Sequence, residues 1–432
     1  MLNNNLKGKM QNTQKITRLL HLLQNKSFFH LLSANLLTQF LGFGTVVFIA
    51  KLISPTEIGQ IKILQSYIAL FVILAGFGFN TSVLKYCAEN ISQEQRWGIF
   101  NYSVKCSLVT TLCGYLLWFL FDSYKIILST SQIGSWILIY GLLLPFSVMT
   151  NLGMIYLQAV KQVRKMAKAQ SIIKLQSFLI IVGSTYFWGI KGFIASTVFA
   201  YFIGMIPVFR EIGFSFIFYK SFVPRSFLSI AVFSMLGNIV SLIGQYGDIF
   251  ILDHFCPDKE QIGFYSLASI FLIGAMQVTG TVQSIVAPYF SEHNRDKRWV
   301  YSQLIKNQLR MVVLAILVAL GIYIFCYYFI PFFYGYNYII TFLYLKILLL
   351  KYIVYSSYAV TGVCLVGLGL IKYNIGVVFI STPIGLFLSY LLLQNYGVIG
   401  VAYAQFFTAI FIFILQIAVT KFALSKYFRF LK

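Results

Sequence analysis

Long apolar stretches separated by short polar connections run through almost the whole chain. A membrane-crossing helix needs about 20 mostly apolar residues. Twelve stretches qualify: 27–52, 58–83, 100–121, 134–160, 171–189, 192–209, 227–252, 263–290, 308–330, 338–368, 373–394 and 397–420. They lack the strict alternation of a barrel strand, so the pattern predicts an all-α polytopic membrane protein with about 12 transmembrane helices. The fifth and sixth stretches, and the eleventh and twelfth, are joined by very short hairpins. Pro145 and Pro383 interrupt the fourth and eleventh and are expected to kink them.

The pattern also repeats. Asn35, Thr38, Gly42 and Thr45 of the first stretch recur 203 residues later as Asn238, Ser241, Gln245 and Asp248 of the seventh. SPTEIGQ, ending past Gly59, is matched by CPDKEQIGF with Gly263, 204 residues on. Lys165 corresponds to Lys372 at 207, and Gly189-x-x-Gly192 to Gly397-x-x-Gly400 at 208. Matches in order with a slowly drifting offset indicate an internal duplication. Each copy holds six spans, an even number, so both copies point the same way. The expected architecture is two pseudo-symmetric six-helix lobes about an axis along the membrane normal. The boundaries are a cytoplasmic N-terminal segment 1–26, a lobe 27–209, a cytoplasmic linker 210–226, a second lobe 227–420 and a basic tail 421–432. Within the first segment, TQKITRLLHLLQNK (13–26) reads as a basic amphipathic helix on the membrane surface.

Composition agrees. Of the residues, 59% are hydrophobic and 10% charged, against about 25% charged in soluble domains. The net charge of +22 would suggest nucleic acid in a soluble protein, but its distribution says otherwise. Alternate connections, together with the two termini, carry 26 Lys and Arg; the other connections carry five, and Lys346 and Lys351 fall inside the tenth span. Cytoplasmic loops collect the bases, so both termini are expected inside the cell, and no nucleic acid is implied. Trp97, Trp118, Trp136 and Trp188 lie near span ends, where interfacial tryptophans concentrate, and Trp299 sits in a basic loop. Six scattered cysteines and four unclustered histidines offer no metal site, and no cofactor is implied.

Candidate chemistry is sparse. The two repeated sets are spaced 3, 4 and 3, so each forms a stripe on one helix face. Such a stripe must meet protein or a wet cavity. It serves either as interhelical glue or as the lining of one central cavity, with a stripe from each lobe. Asp248 is the one acid inside a span, and Lys346, at a comparable depth, is its candidate partner. Lys351 lies deeper, and Lys85 ends the second span, where it could face an anionic head group. Lys165, Lys168 and Lys174 read as loop anchors. Gly42-x-Gly44 and Gly76-x-Gly78 lie within apolar spans and serve close packing rather than nucleotide binding. No nucleophile–base arrangement or paired carboxylates appear, and the connections are too short for a membrane polymerase, so an enzyme is not expected.

Several segments carry a family resemblance: LLTQFLGFGTVVFIAKLISPTEIGQIKILQS (36–66), AGFGFNTSVLKYCAEN (75–90), GDIFILDHFCPDKEQIGFYSLAS (247–269), FYGYNYIITFLYLKIL (333–348) and NYGVIGVAYAQ (395–405). They resemble the polysaccharide flippases of the multidrug/oligosaccharidyl-lipid/polysaccharide exporter superfamily, over nearly the whole chain. The resemblance implies a bacterial inner-membrane carrier of undecaprenyl-diphosphate-linked oligosaccharide, supplying O-antigen or capsule assembly. The partners implied are the lipid-linked substrate, membrane lipids and the polysaccharide polymerase machinery. Family members often carry Arg where this chain has Lys85, which keeps the charge but not bidentate phosphate binding. The rival readings are a cation-coupled multidrug exporter and a peptidoglycan-precursor flippase of the same superfamily, with a membrane glycosyl polymerase further off.

Overall fold

The structure is a computed structural model that describes the backbone of residues 26–127, 134–213 and 223–430, and side chains over 38–127, 134–213 and 223–429. The expected amphipathic segment 13–26 therefore lies almost wholly outside the described residues, as does the middle of the 210–226 linker. The first half comprises α1 (Lys26–Leu52), α2 (Pro55–Gly76), α3 (Phe79–Ala88), α4 (Gln93–Ser123), α5 (Trp136–Gly141), α6 (Leu143–Ala159) and α7 (Val163–Ile212). The second comprises α8 (Phe227–Phe255), α9 (Lys259–Glu292), α10 (Lys297–Tyr334), α11 (Ile339–Ser356), α12 (Ala359–Gly367), α13 (Ile371–Tyr396) and α14 (Val398–Phe430). The chain is all-helical over the described residues, and ten segments are long and apolar enough to cross a membrane. One of them, Val163–Ile212, is two antiparallel arms, and α1 contributes the shorter apolar stretch Thr38–Leu52.

Local chemistry sets where the helices begin and break. At α2, the Ser54 hydroxyl accepts the Glu57 N–H at 3.3 Å while the Glu57 carboxylate accepts the Ser54 N–H at 2.9 Å. This reciprocal box satisfies two otherwise orphaned donors, and Pro55 opens the helix behind it. Ser92 and Gln95 repeat the device at α4. The hairpins expected at 189–192 and 397–400 turn on glycines at φ +58° and +65°, a region costly for side chains with a Cβ.

Three expectations change. The second span does not run unbroken over 58–83: Phe77 and Gly78 take positive φ and the chain restarts as α3. A Cβ at Gly78 would overlap the Ala231 carbonyl of α8, so the break seats another helix's backbone against the chain. The C-terminal tail is not a separate segment from 421; α14 continues to Phe430. Trp118, near the end of α4, faces protein rather than a membrane surface. It is fully buried, its indole N–H donates to the Ile137 carbonyl at 2.9 Å, and Phe71 meets it edge-on at 5.2 Å. Trp118→Ala is therefore expected to cost about 3–5 kcal/mol, seen as a lower unfolding temperature in detergent. The same change at exposed Trp188 should be nearly neutral.

The halves meet most closely where α2 crosses α9. Gly59 and Gly263, the equivalent glycines of the repeat, lie in this crossing: a Cβ on Gly59 would overlap the Lys259 carbonyl, and one on Gly263 the Pro55 carbonyl. At the same end, the Tyr334 and Tyr338 hydroxyls donate to the Val47 and Ile53 carbonyls at 3.1 and 3.3 Å. One continuous apolar core from both halves fills this Ser54 end. At the opposite end the core divides. One cluster unites α2, α3, α4 and α6 with Phe227 and Ala231 of α8, and another is built from α9, α10, α12 and α14. Joined at one end and divided at the other, the helices enclose space between them.

Candidate functional site

A central cavity of about 760 Å³ lies between the halves, walled by α1, α2 and α7 on one side and α8, α9 and α10 on the other. Most of its wall is apolar, with Ile, Val and Phe side chains. The polar groups are Thr38, Ser266, Tyr246, the amides Gln39, Gln65, Gln170 and Gln277, and two lysines, Lys62 and Lys174. Among the described residues, no carboxylate lines it. Lys62 projects from the second turn of α2, and its ammonium lies 5.3 Å from the centre of the Tyr246 ring. Lys174 reaches in from α7, with its ammonium 4.0 Å from where a Cβ on Gly42 would lie. The absent side chain at Gly42 leaves room for that cation.

A second cavity of about 450 Å³ is built mostly from the second half, among α8, α9, α11, α13 and α14, with Lys62 of α2 in its wall. Asp248 is its carboxylate. The Tyr265 hydroxyl donates to Asp248 Oδ2 at 2.5 Å, and the Ile249 N–H donates to Oδ1 at 2.9 Å. Lys351 also lines this cavity and donates to Gln405 Oε1 at 2.6 Å. Lys62, Tyr246 and Ile273 line both cavities and so form their common wall.

The expected site residues scatter between these places. Thr38 is buried and lines the central cavity, as does Gly42. Thr45 instead turns its hydroxyl back to the Leu41 carbonyl at 2.6 Å. The side chain of Asn35 lies outside the described residues. On α8, Ser241, Gln245 and Asp248 line the second cavity, whereas Asn238 is exposed and lines neither. The two stripes thus do not face one another across a shared cavity; Tyr246, on a different face of α8, is what that helix presents to the central one. The reason is helix rotation. α8 packs along α13, with Gly247 pressed against Leu386, and this turns its polar face into its own half.

The expected Asp248–Lys346 pair is also corrected. Lys346 is exposed, with its ammonium 5.2 Å from the Phe342 ring centre. Position 346 is five residues before Lys351, well over a turn round α11 and on a different face. The lysines that share a cavity with Asp248 are Lys62 and Lys351. Lys85 is exposed at the end of α3, near the Tyr86 ring, and lines neither cavity.

Sequence reasoning missed Lys62, Lys174, Tyr265 and Gln405. Lys62 lies just inside the 58–83 stretch and counts with the bases of the adjoining connection, and Lys174 reads as a loop anchor. A signal for Lys62 existed, because the S-P-T-E box starts α2 at Pro55 and so puts Lys62 two turns inside. For Tyr265 and Gln405 no signal existed, since each is defined by a partner far away in the chain.

The family model described as "Polysaccharide biosynthesis protein" matches residues 25–294. The chain belongs to the polysaccharide biosynthesis protein family. Its architecture is also that of solved transporters. It is similar to the lipid II flippase MurJ in an inward closed conformation, with TM-score 0.76 at 16% identity, covering 92% of this chain and 89% of that one. It is similar to a multidrug resistance MATE family transporter of the MOP superfamily, inward-facing, with TM-score 0.72 at 14% identity, covering 90% and 96%. The Vibrio cholerae MATE transporter VcmN, as the D35N mutant, follows at 0.64 and 14%, covering 92% and 98%. Similarity at this level identifies the fold. No curated protein sequence matches the chain. Family and fold together make this polysaccharide biosynthesis protein a multi-pass membrane protein.

Proposed function

We propose that this polysaccharide biosynthesis protein is a flippase that moves undecaprenyl-diphosphate-linked oligosaccharide repeat units across the bacterial inner membrane for O-antigen or capsule assembly. The observation that carries the reading is the central cavity: two lysines, four amides and no carboxylate. A diphosphate brings at least two negative charges, and sugar hydroxyls need hydrogen-bond partners once they leave water. Lys62 and Lys174 supply the charge, and the glutamines supply donors and acceptors. The polyprenyl tail stays in lipid. The sequence of events is alternating access, with residues 27–209 and 227–420 rocking as two lobes about the α2–α9 crossing, and no bond in the substrate is made or broken.

In this reading the Ser54 end faces the periplasm, and the termini and the divided end face the cytoplasm, as the distribution of basic residues favours. The closed crossing then corresponds to a state awaiting cargo from the cytoplasmic leaflet. Thr38 would contact the head group, while Asp248, Lys351, Ser241 and Gln245 would act from the second cavity on the halves' relative position. Lys85, Lys346 and Asn238 would act outside both cavities. Polymerase machinery on the periplasmic side would take the product.

A cation-coupled drug exporter fits less well, because a central cavity that is positively charged and lacks carboxylates repels cationic drugs. A peptidoglycan-precursor flippase shares the diphosphate chemistry, and the match to MurJ keeps it as the second reading. The test is a deletion strain carrying charge-reversed variants. Lys62→Glu combined with Lys174→Glu is expected to cut surface polysaccharide by about 100-fold, since each reversal of an attractive contact removes one to two factors of ten. Undecaprenyl-linked repeat units should accumulate on the cytoplasmic face. Unchanged polysaccharide in the deletion strain would overturn the proposal, and lysis with lipid II accumulation would favour the second reading.

A further inference from the structure

Three charged groups line the second cavity, and they are not held alike. Asp248 is fixed by the Tyr265 hydroxyl and the Ile249 N–H. Lys351, from the same half, is fixed by Gln405 at 2.6 Å. Lys62 comes from the other half on α2, and no protein acceptor lies within hydrogen-bond distance of its ammonium among the described residues. It rests beside the Tyr246 ring and lines the second cavity together with Asp248. One carboxylate is therefore shared by a fixed lysine and a free one, and the free one also borders the central cavity.

We propose that Lys62 is a shared counter-charge: it neutralises Asp248 while the central cavity is empty and turns to the substrate's diphosphate when the cavity is loaded. This rests on the anionic-head-group reading above and goes beyond it by assigning how loading is sensed. The exchange is cheap because Lys351 stays behind, so Asp248 is never left without a cation. A lone carboxylate in a membrane interior costs several kcal/mol, and a site with one lysine would resist giving it up. The exchange also acts between the halves. Lys62 belongs to α2 and Asp248 to α8, so drawing Lys62 towards cargo removes an attraction between the two bodies that must rock. Coupling of this kind is reciprocal: whatever weakens the hold of Asp248 on Lys62 makes Lys62 more available to the anion.

The test uses the full-length protein in lipid nanodiscs and farnesyl diphosphate as the probe, with affinity read by calorimetry. Lys174→Met is expected to weaken binding by about tenfold, reporting on the cavity itself. Asp248→Asn, which keeps an acceptor for Tyr265, is expected to tighten binding by about fivefold, the lower end of typical coupling. That gain should vanish when Lys62→Met is also present. If Asp248→Asn tightens binding equally with and without Lys62, or never tightens it while Lys174→Met still weakens it, the shared counter-charge is wrong and the cavity reading stands. If neither Lys62→Met nor Lys174→Met weakens binding, the cavity reading itself fails. A second measurement needs no substitution. Farnesyl diphosphate should slow amine labelling of Lys62, read by mass spectrometry, and leave Lys351 unchanged; equal protection of both would overturn the proposal.

Discussion

Gly263→Val is expected to abolish translocation and lower the unfolding temperature by several degrees. A Cβ at this position would overlap the Pro55 carbonyl oxygen and crowd Pro55 Cα at 3.1 Å. Backbone cannot move aside as a flexible side chain can, so α2 and α9 must separate. Separation at this point strips contacts from the continuous core of the Ser54 end, and overpacking of this kind costs about 1–3 kcal/mol or more. The effect on transport should exceed the effect on stability, because the crossing is where the halves close. Gly59→Val meets the Lys259 carbonyl from the other side and should behave alike. Cysteine accessibility of Val47 and Ile53 substitutions, near the Tyr334 and Tyr338 hydrogen bonds, would rise in both variants. Normal transport and unaltered accessibility in Gly263→Val would show that the crossing is not a moving closure.

The second large effect is expected at Lys259. This lysine and Asp253 form an ion pair at 3.0 Å with side chains 8% and 2% exposed. The ammonium also donates to the Asp253 and Cys256 carbonyls at 2.8 and 3.4 Å. It thus ties the last turn of α8 to the first of α9. Lys259→Met leaves a buried carboxylate without its cation and two carbonyls without their donor. Breaking such a pair from one side costs about 3–5 kcal/mol, a large fraction of ordinary protein stability. Thermal unfolding in detergent should show a drop of many degrees, with Asp253→Asn plus Lys259→Met recovering most of it. A single variant as stable as the parent would mean that water already reaches Asp253. The surface pair Lys168–Glu211, at 2.7 Å with the lysine 65% exposed, should be dispensable by comparison, since exposed pairs contribute about 0–1 kcal/mol.

Much of the fold could be read in advance from particular residues. The apolar stretches and the glycine hairpins act over a few positions, and their geometry follows from residue type. The candidate site was less legible. Asp248, Lys351, Thr38, Ser241 and Gln245 line cavities, but the expected partner of Asp248 was on the wrong turn of α11. Lys62 and Lys174 looked like surface charges because their neighbours in sequence are turns and other bases. What makes them cavity groups is the helix across from them, Tyr246 for one and Gly42 for the other.

The sequence by itself determined the helices, their number, their hairpins, the duplicated order and the one-sided distribution of bases. Each depends on apolar length, local caps or loop charge, which act within about one helix turn or loop. Only the tertiary structure decided which way each helix is rotated. A period of 3.6 residues fixes where side chains sit relative to one another on a single helix, and says nothing of the angle that helix turns to its neighbours. That angle comes from close packing, Gly247 against Leu386 and Gly263 against Pro55. It is why the stripe ending in Asp248 faces its own half and why the cation from the other half that shares its cavity is Lys62.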